Sequence, residues 1–225
     1  MDTLASFLNA AGWYRALALN HQKLVLSKAQ LREIAAGDCL AHAGDPSEHW
    51  YGVLRGLLQM YVVGAEGDAT TLFCLQQDEW GGDGSLLKNE PMRYDLRALV
   101  PSLVCLVPKP VFDGLRRESI IFNQHLSEIM NRRMGAFVGM LAATRLLGPE
   151  ARVARALMMV TRSSAEVEQL NLAQHELGRI AGLSRQRVNQ AISALRHQQV
   201  VLSEAKAPYL IVDRKRLQMF LAGAS

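Results

Sequence analysis

Residues 172–196 read LAQHELGRIAGLSRQRVNQAISALR, and this stretch decides how the C-terminal part of the chain folds. Leu177 and Ile180, three residues apart, give a first helix one apolar stripe. Ala181 and Gly182 then supply a small residue and a permissive glycine at which a helix can end and turn. Leu183 plugs the turn. Ser184 offers the hydroxyl that caps a new helix, in which Val188, Ala191, Ile192 and Leu195 recur at helical spacing and bury one face. The opposite face carries Arg185, Gln186, Arg187, Asn189 and Gln190. A guanidinium can grip guanine or phosphate with two donors, and carboxamides can pair with adenine edges, so this face suits a DNA major groove. An ordinary helical hairpin with a solvated polar face is the alternative.

Downstream, residues 200–203 and 209–212 are two short apolar or β-branched runs separated by Glu204, Ala205, Lys206, Ala207 and Pro208. They predict a hairpin, the wing of a winged helix-turn-helix. Asp213 is placed to cap a last helix through Leu217, Phe220 and Leu221. Upstream, Gly148 and Pro149 mark a joint, since glycine can end a helix and proline is tolerated in the first turn of the next. Before the joint, residues 120–147 predict one long helix with more apolar positions than a single thin layer covers, among them Phe122, Leu126, Ile129, Met130, Met134, Phe137, Val138 and Leu141. We read it as a dimerisation helix. Gly135 and Gly139 share one of its faces and each costs about 1 kcal/mol relative to alanine, which suggests close packing against a partner subunit; a locally loosened helix is the other reading.

Residues 37–107 have a different rhythm. Short β-like runs (50–54, 57–63, 70–75, 96–100 and 103–107) are punctuated by Gly44, Gly56, Gly64, Gly67, Gly81, Gly82 and Gly84, the pattern of an all-β sandwich or barrel. The first thirty-six residues read as mainly helical, with Leu and Ala periodicity, and are expected to pack on its flank.

Charge follows the same division. From residue 148 onward there are eleven Lys or Arg against six Asp or Glu, net +5, whereas residues 1–147 carry fourteen against fifteen, net −1. The basic excess sits where phosphate neutralisation would need it. The uncharged run 134–144 is about half the length of a membrane span, and MDTLASFLNAAGW lacks the basic start and cleavage pattern of a secretion signal, so a cytoplasmic protein without a membrane partner is expected. Cys39, Cys74 and Cys105 form no close cluster, which fits a reduced compartment. His21, His42, His49, His125, His175 and His197 show no metal-ligand spacing, and no metal site is expected. Nothing resembles a nucleophile elbow, a P-loop or HExxH, so an enzyme is not expected.

A glycine-punctuated β domain, a long helix, a hinge and a winged helix-turn-helix together resemble the Crp-Fnr superfamily of bacterial transcription regulators. The resemblance covers nearly the whole chain, and its most specific pieces are LGRIAGLSRQRVNQAISAL at 177–195 and GGDGSLL at 81–87, followed by Arg93. It implies an α+β chain: an N-terminal double-stranded β-helix (a jelly-roll-like β-roll) with flanking helices over 1–119, a dimerisation helix over 120–147, and a winged helix-turn-helix over 148–225. It also implies a homodimer on double-stranded DNA with an imperfect palindrome, and RNA polymerase as a further partner. Ser184, Arg185, Gln186, Arg187, Asn189 and Gln190 are the expected DNA-binding residues. Arg185 matches the family's guanine-reading arginine, while Gln186 and Gln190 replace a glutamate and a second arginine.

GGDGSLL resembles the family's phosphate-binding cassette, in which a glycine-rich turn aims backbone N–H groups at an anion and an arginine supplies a positive fork. Gly82, Ser85 and Arg93 match by position, and Gly82, Asp83, Gly84, Ser85, Arg93, Tyr94 and Phe137 form the expected effector site. The departures are specific. Asp83 is one methylene shorter than the family's ribose-binding glutamate, Tyr94 replaces a small hydroxyl residue, Asp95 adds a negative charge, and Phe137 with Val138 replaces the purine-contacting Thr-Ser pair. A small anionic effector other than cyclic AMP is therefore expected. Another cyclic mononucleotide, a cyclic dinucleotide, another anion, an aromatic effector and no effector at all stay open, as does a nucleotide-sensing module that acts on a protein partner without touching DNA. For the family's other sensors, three dispersed cysteines fall short of an iron–sulfur ligand set, and no arrangement points to haem ligation by Cys74.

Overall fold

The computed structural model describes residues 3–162, 165–205, 207 and 209–223. Elements run in the order α1 (Leu4–Ala10), α2 (Gly12–Arg15), α3 (Leu19–Lys28), β1 (Gln30–Ile34), β2 (Cys39–Ala41), β3 (His49–Val63), β4 (Ala69–Leu75), β5 (Trp80–Gly81), α4 (Asp83–Lys88), β6 (Asp95–Pro108), α5 (Lys109–Glu118) and α6 (Ile120–Leu146). There follow α7 (Pro149–Val160), β7 (Val167–Leu170), α8 (Gln174–Ala181), α9 (Arg185–His197), β8 (Leu210–Asp213) and α10 (Arg214–Gly223). The chain is α+β, with an antiparallel β-roll toward the N-terminus and a helix-turn-helix toward the C-terminus. Two compact units contain Met1–Met60 with Leu75–Ala136, and Tyr61–Cys74 with Phe137–Ser225.

The larger sheet has the order β1-β6-β3-β4, with β2 also on β6 and β5 on β3. Two long strands replace four expected short ones. Gly56 does not interrupt β3; its φ of +108° carries the strand closely over β6, where a Cβ would stand 2.1 Å from Ser102 Oγ. That hydroxyl accepts from the Leu57 N–H (3.2 Å) and donates to the Val100 carbonyl (2.7 Å), so β6 continues through Pro101 instead of breaking there. Residues 30–34, expected within a helical flank, are strand β1, paired antiparallel with β6 from Gln30 opposite Leu106 to Ile34 opposite Ser102. Only Ile34 of β1 is buried, so the run carries little alternation to betray it.

The first unit is filled by aromatic rings. Trp50 and Trp80 stack at 4.2 Å between centroids, Trp13 meets both edge-on, and Phe112 and Phe122 close the cluster with Leu8, Leu115 and Leu126. Edge and offset contacts of this kind add to area burial because the ring quadrupoles are satisfied. The helical N-terminus supplies Leu8, Trp13, Leu17 and Val25 to this core.

In the second unit Gly148 precedes α7 with Pro149 in its first turn, and Asp213 Oδ1 accepts from the Arg216 N–H at 2.9 Å to cap α10. The wing differs from expectation. Residues 200–203 and 209–212 join through one bridge, Val201 opposite Val212, helped by Leu202 N–H to the Ile211 carbonyl (2.7 Å) and Asp213 N–H to the Val200 carbonyl (3.0 Å). Lys206 and Pro208 of the expected turn lie outside the described residues. The full ladder partner of β8 is β7, from Val167 opposite Asp213 to Leu170 opposite Leu210. Since only Leu170 of β7 is buried, its sequence showed no apolar run.

Candidate nucleic-acid interface and ligand cassette

The helix-turn-helix is built from small local requirements. Leu177, Ile180, Val188, Ala191, Ile192 and Leu195 are all buried on the inner faces of α8 and α9. Gly182 ends α8 in the left-handed region (φ +63°, ψ +42°), which glycine adopts without a Cβ clash. Gly178 lets the chain cross itself: a Cβ there would stand 2.8 Å from the Leu183 carbonyl oxygen, while the Leu183 N–H donates to the Gly178 carbonyl at 2.9 Å. Ser184 Oγ accepts from the Arg187 N–H at 3.4 Å, the capping bond expected from its position.

One feature escaped the sequence. Arg152 of α7 donates from Nε and Nη2 to the Ala181 carbonyl (3.1 and 2.8 Å) and from Nη2 to the Gly182 carbonyl (2.7 Å). A guanidinium thus satisfies the orphan carbonyls at the end of α8 and fixes the turn from which α9 departs. Its signal was an arginine in a helix whose inner face is mostly apolar.

Ser184, Arg185, Gln186, Arg187, Asn189 and Gln190 are all exposed. Among the described residues, no hydrogen bond or ion pair engages the side chains of the last five, which leaves their donors and acceptors available on one continuous helical face. Arg185 also lines a cleft of about 440 Å³ with His175, Tyr209 and the wing residues Ala205 and Ala207.

The cassette is arranged in the opposite manner. Gly82 is left-handed (φ +87°), and a Cβ there would meet Tyr51 at 2.7 Å, so the turn requires glycine. Asp83 and Ser85 are buried, and Gly84 is exposed with open space around it. The Asp83 carboxylate is held by Arg133 of α6, whose Nη1 donates to both its oxygens (3.0 and 3.1 Å) while Nη2 donates to the Trp80 carbonyl (2.7 Å). Their side chains are 2% and 14% exposed. Arg93 lies on the surface, its Nη2 donating to Glu90 at 2.7 Å. Asp95 meets His42 Nδ1 at 3.1 Å and accepts from the Ala43 N–H at 3.3 Å. Burial pushes the Tyr94 phenol up to about 12, reinforced by Asp83, and burial with Asp45 and Glu48 does the same for Tyr51. Phe137 falls in the second unit, where its ring meets Phe73 edge-on at 6.0 Å. Arg133 was not among the expected site residues, although it lies one helical turn before Phe137 on the same face of α6.

Residues 31–119 match the family model of the cyclic nucleotide-binding domain, and residues 151–220 match that of the Crp-like helix-turn-helix domain. The chain belongs to the Crp-Fnr superfamily of transcription regulators. The cAMP-activated global transcriptional regulator CRP of Pasteurella multocida is 21% identical over 187 residues, 80% of this chain and 90% of that protein. Among solved structures, FixK2 from Bradyrhizobium japonicum has a TM-score of 0.73 at 18% identity, with 85% of this chain and 96% of that one covered. The c-di-GMP responsive global regulator CLP of Xanthomonas campestris has a TM-score of 0.67 at 16% identity, covering 87% and 99%. At such identities the structural likeness establishes fold alone. As a Crp-Fnr member the chain is a Crp-like DNA-binding transcription regulator with a cyclic nucleotide-binding domain, in a family of regulators and not of enzymes. Among the described residues no helix is long and apolar enough to cross a membrane.

Proposed function

We propose that the protein is a homodimeric, sequence-specific regulator whose two α9 helices enter successive major grooves and read an imperfect palindrome with half-sites about one helical turn apart. The observation that carries this reading is the uncovered polar face of α9 behind a capped N-terminus. Arg185 reads bases. Ser184 and Arg187 touch phosphate, and Gln186, Asn189 and Gln190 give the half-site its own character. The second copy is supported by α6, where Met130, Met134, Val138 and Leu141 recur at four, four and three residues and are 48–62% exposed. The cytoplasm is the place of action in this reading, and RNA polymerase the partner at the promoter.

The effector reading follows from charges already used. The carboxylate that would meet a ribose is buried against Arg133, and the cassette arginine is paired with Glu90. Cyclic AMP is accordingly not the effector; a cyclic dinucleotide or another small anion that displaces Glu90 from Arg93 is. Effector-independent DNA binding is the second reading, favoured by the same internal ion pair.

Sedimentation together with gel-shift titration on a randomised duplex library tests the DNA reading. A dimer is expected, with log affinity falling linearly in log salt. Arg185→Ala should cost about 1–3 kcal/mol and relax one position of the selected site, whereas Arg187→Ala should weaken all sequences alike and reduce the salt slope by about one. A monomer, or identical selected sites for Arg185→Ala and wild type, overturns the assignment. In thermal-shift screening cyclic AMP should leave the melting temperature unchanged, because only a ligand that binds the folded state raises it.

A further inference from the structure

We propose that the second unit holds a separate binding site for a small apolar carboxylate, in the cavity bounded by α6, α7, the end of α8 and Thr70 and Thr71 of β4. This cavity has a volume of about 270 Å³. Its walls are mostly apolar, with Phe137, Met140 and Leu141 from α6, Ala156 and Met159 from α7, and Ile180 from α8. An apolar cavity of roughly 150 Å³ holds benzene, so this one has room for a larger body with a polar end.

The polar end is Arg155. Its Nε is buried and has no hydrogen-bond partner, and among the described residues no hydrogen bond or ion pair engages its side chain. Its Nη1 stands 3.5 Å from where a Cβ on Gly139 would sit, so the guanidinium lies alongside a bare stretch of α6. The neighbouring Arg152 also lines the cavity, with its Nε and Nη2 donating to the carbonyls of Ala181 and Gly182. Arg152 is thus anchored to the end of α8, whereas Arg155 has no such anchor. A buried N–H without an acceptor is costly, and a planar carboxylate fits a guanidinium fork with two parallel hydrogen bonds. A guanidinium without an acceptor on the wall of a mostly apolar chamber selects an acid with an apolar body. A ligand in this chamber touches Ile180 and Ala181, and thus the helix-turn-helix itself.

Equilibrium dialysis of the full-length protein with radiolabelled octanoate, and with octanol as its uncharged counterpart, tests the site. Expected are one saturable octanoate site per chain, octanol binding at least tenfold weaker, and loss of that discrimination in Arg155→Met. Ala156→Phe, which fills the chamber, should abolish binding of both, with circular dichroism melting to establish that each variant is folded. Should Arg155→Met not fold, the octanoate-to-octanol ratio in the wild-type chain decides alone. Absence of saturable octanoate binding, equal affinity for octanol, or unchanged discrimination in folded Arg155→Met overturns the assignment.

Discussion

The cassette and the recognition helix are both rich in groups able to bind a charged ligand, but they hold them in opposite states. On α9, Arg185, Gln186, Arg187, Asn189 and Gln190 face solvent with no partner among the described residues. In the cassette, Asp83 is matched by Arg133, Arg93 by Glu90, and Asp95 by His42. Exposed polar groups cost little to keep in water and are ready for an external partner. A buried charge such as that of Asp83 persists only when paired, so the fold itself has answered it with Arg133. The same motif-level reading predicts a binding site in both places, and the structure shows a usable surface in one and internal pairs in the other.

The strongest way to break this contrast is to remove the cassette's internal partner. Arg133→Ala leaves Asp83 as a buried carboxylate without its cation and strips a donor from the Trp80 carbonyl. Truncating one member of a buried pair typically costs about 3–5 kcal/mol, and urea unfolding should record a loss of that size. The double variant Asp83→Asn with Arg133→Gln removes both charges and should recover much of it. If Arg133→Ala is as stable as wild type, the pair does not hold the cassette, and the difference between the two regions disappears.

The turn of the recognition motif gives the next effect. Gly182→Ala places a Cβ at φ +63° and 2.8 Å from Arg152 Nη2. The left-handed backbone costs about 1–2 kcal/mol for a residue with a Cβ, and the long arginine can yield part of the contact. Thermal unfolding should show a loss of that order, and DNA affinity should fall further than stability because the turn sets the departure of α9. Ser184→Ala is smaller: one capping bond is worth about 1 kcal/mol, and it should weaken all DNA sequences equally.

These two regions also differ in what could be read from sequence. The helix-turn-helix was legible because each of its requirements is local: apolar residues three and four apart, a glycine that alone accepts the turn, and a serine one residue before the helix. The long helix, its proline-marked successor and the cap by Asp213 were legible for the same reason. Strands β1 and β7 were not, since each buries one residue and depends on a partner distant in sequence. Gly56 misled for a related reason: a glycine read as a turn is here a point of close approach between β3 and Ser102 of its neighbour β6. The roles of Arg133 and Arg152 are the deepest omission. Each answers groups 29 to 53 residues away, and only the folded chain brings them together.

The smallest effect sharpens the cassette side through pH. Tyr51 and Tyr94 have an ordinary value of 10.0 in the unfolded chain and about 12 when folded. Below pH 10 both states hold these protons, and the two tyrosines add no pH dependence. Between 10 and 12 the unfolded chain releases protons that the folded chain still keeps, so unfolding is favoured and stability falls as pH rises. The share of phenolate absorbance that is lost in Tyr51→Phe with Tyr94→Phe should therefore appear together with loss of structure, and not before it. In Tyr51→Phe with Tyr94→Phe the alkaline slope should flatten while Arg185 and its neighbours continue to bind DNA. If the phenolates of Tyr51 and Tyr94, read as the difference between wild type and Tyr51→Phe with Tyr94→Phe, formed in the intact fold near pH 10, the cassette would be open to water, and the closed, self-paired state assigned to it would have to be given up.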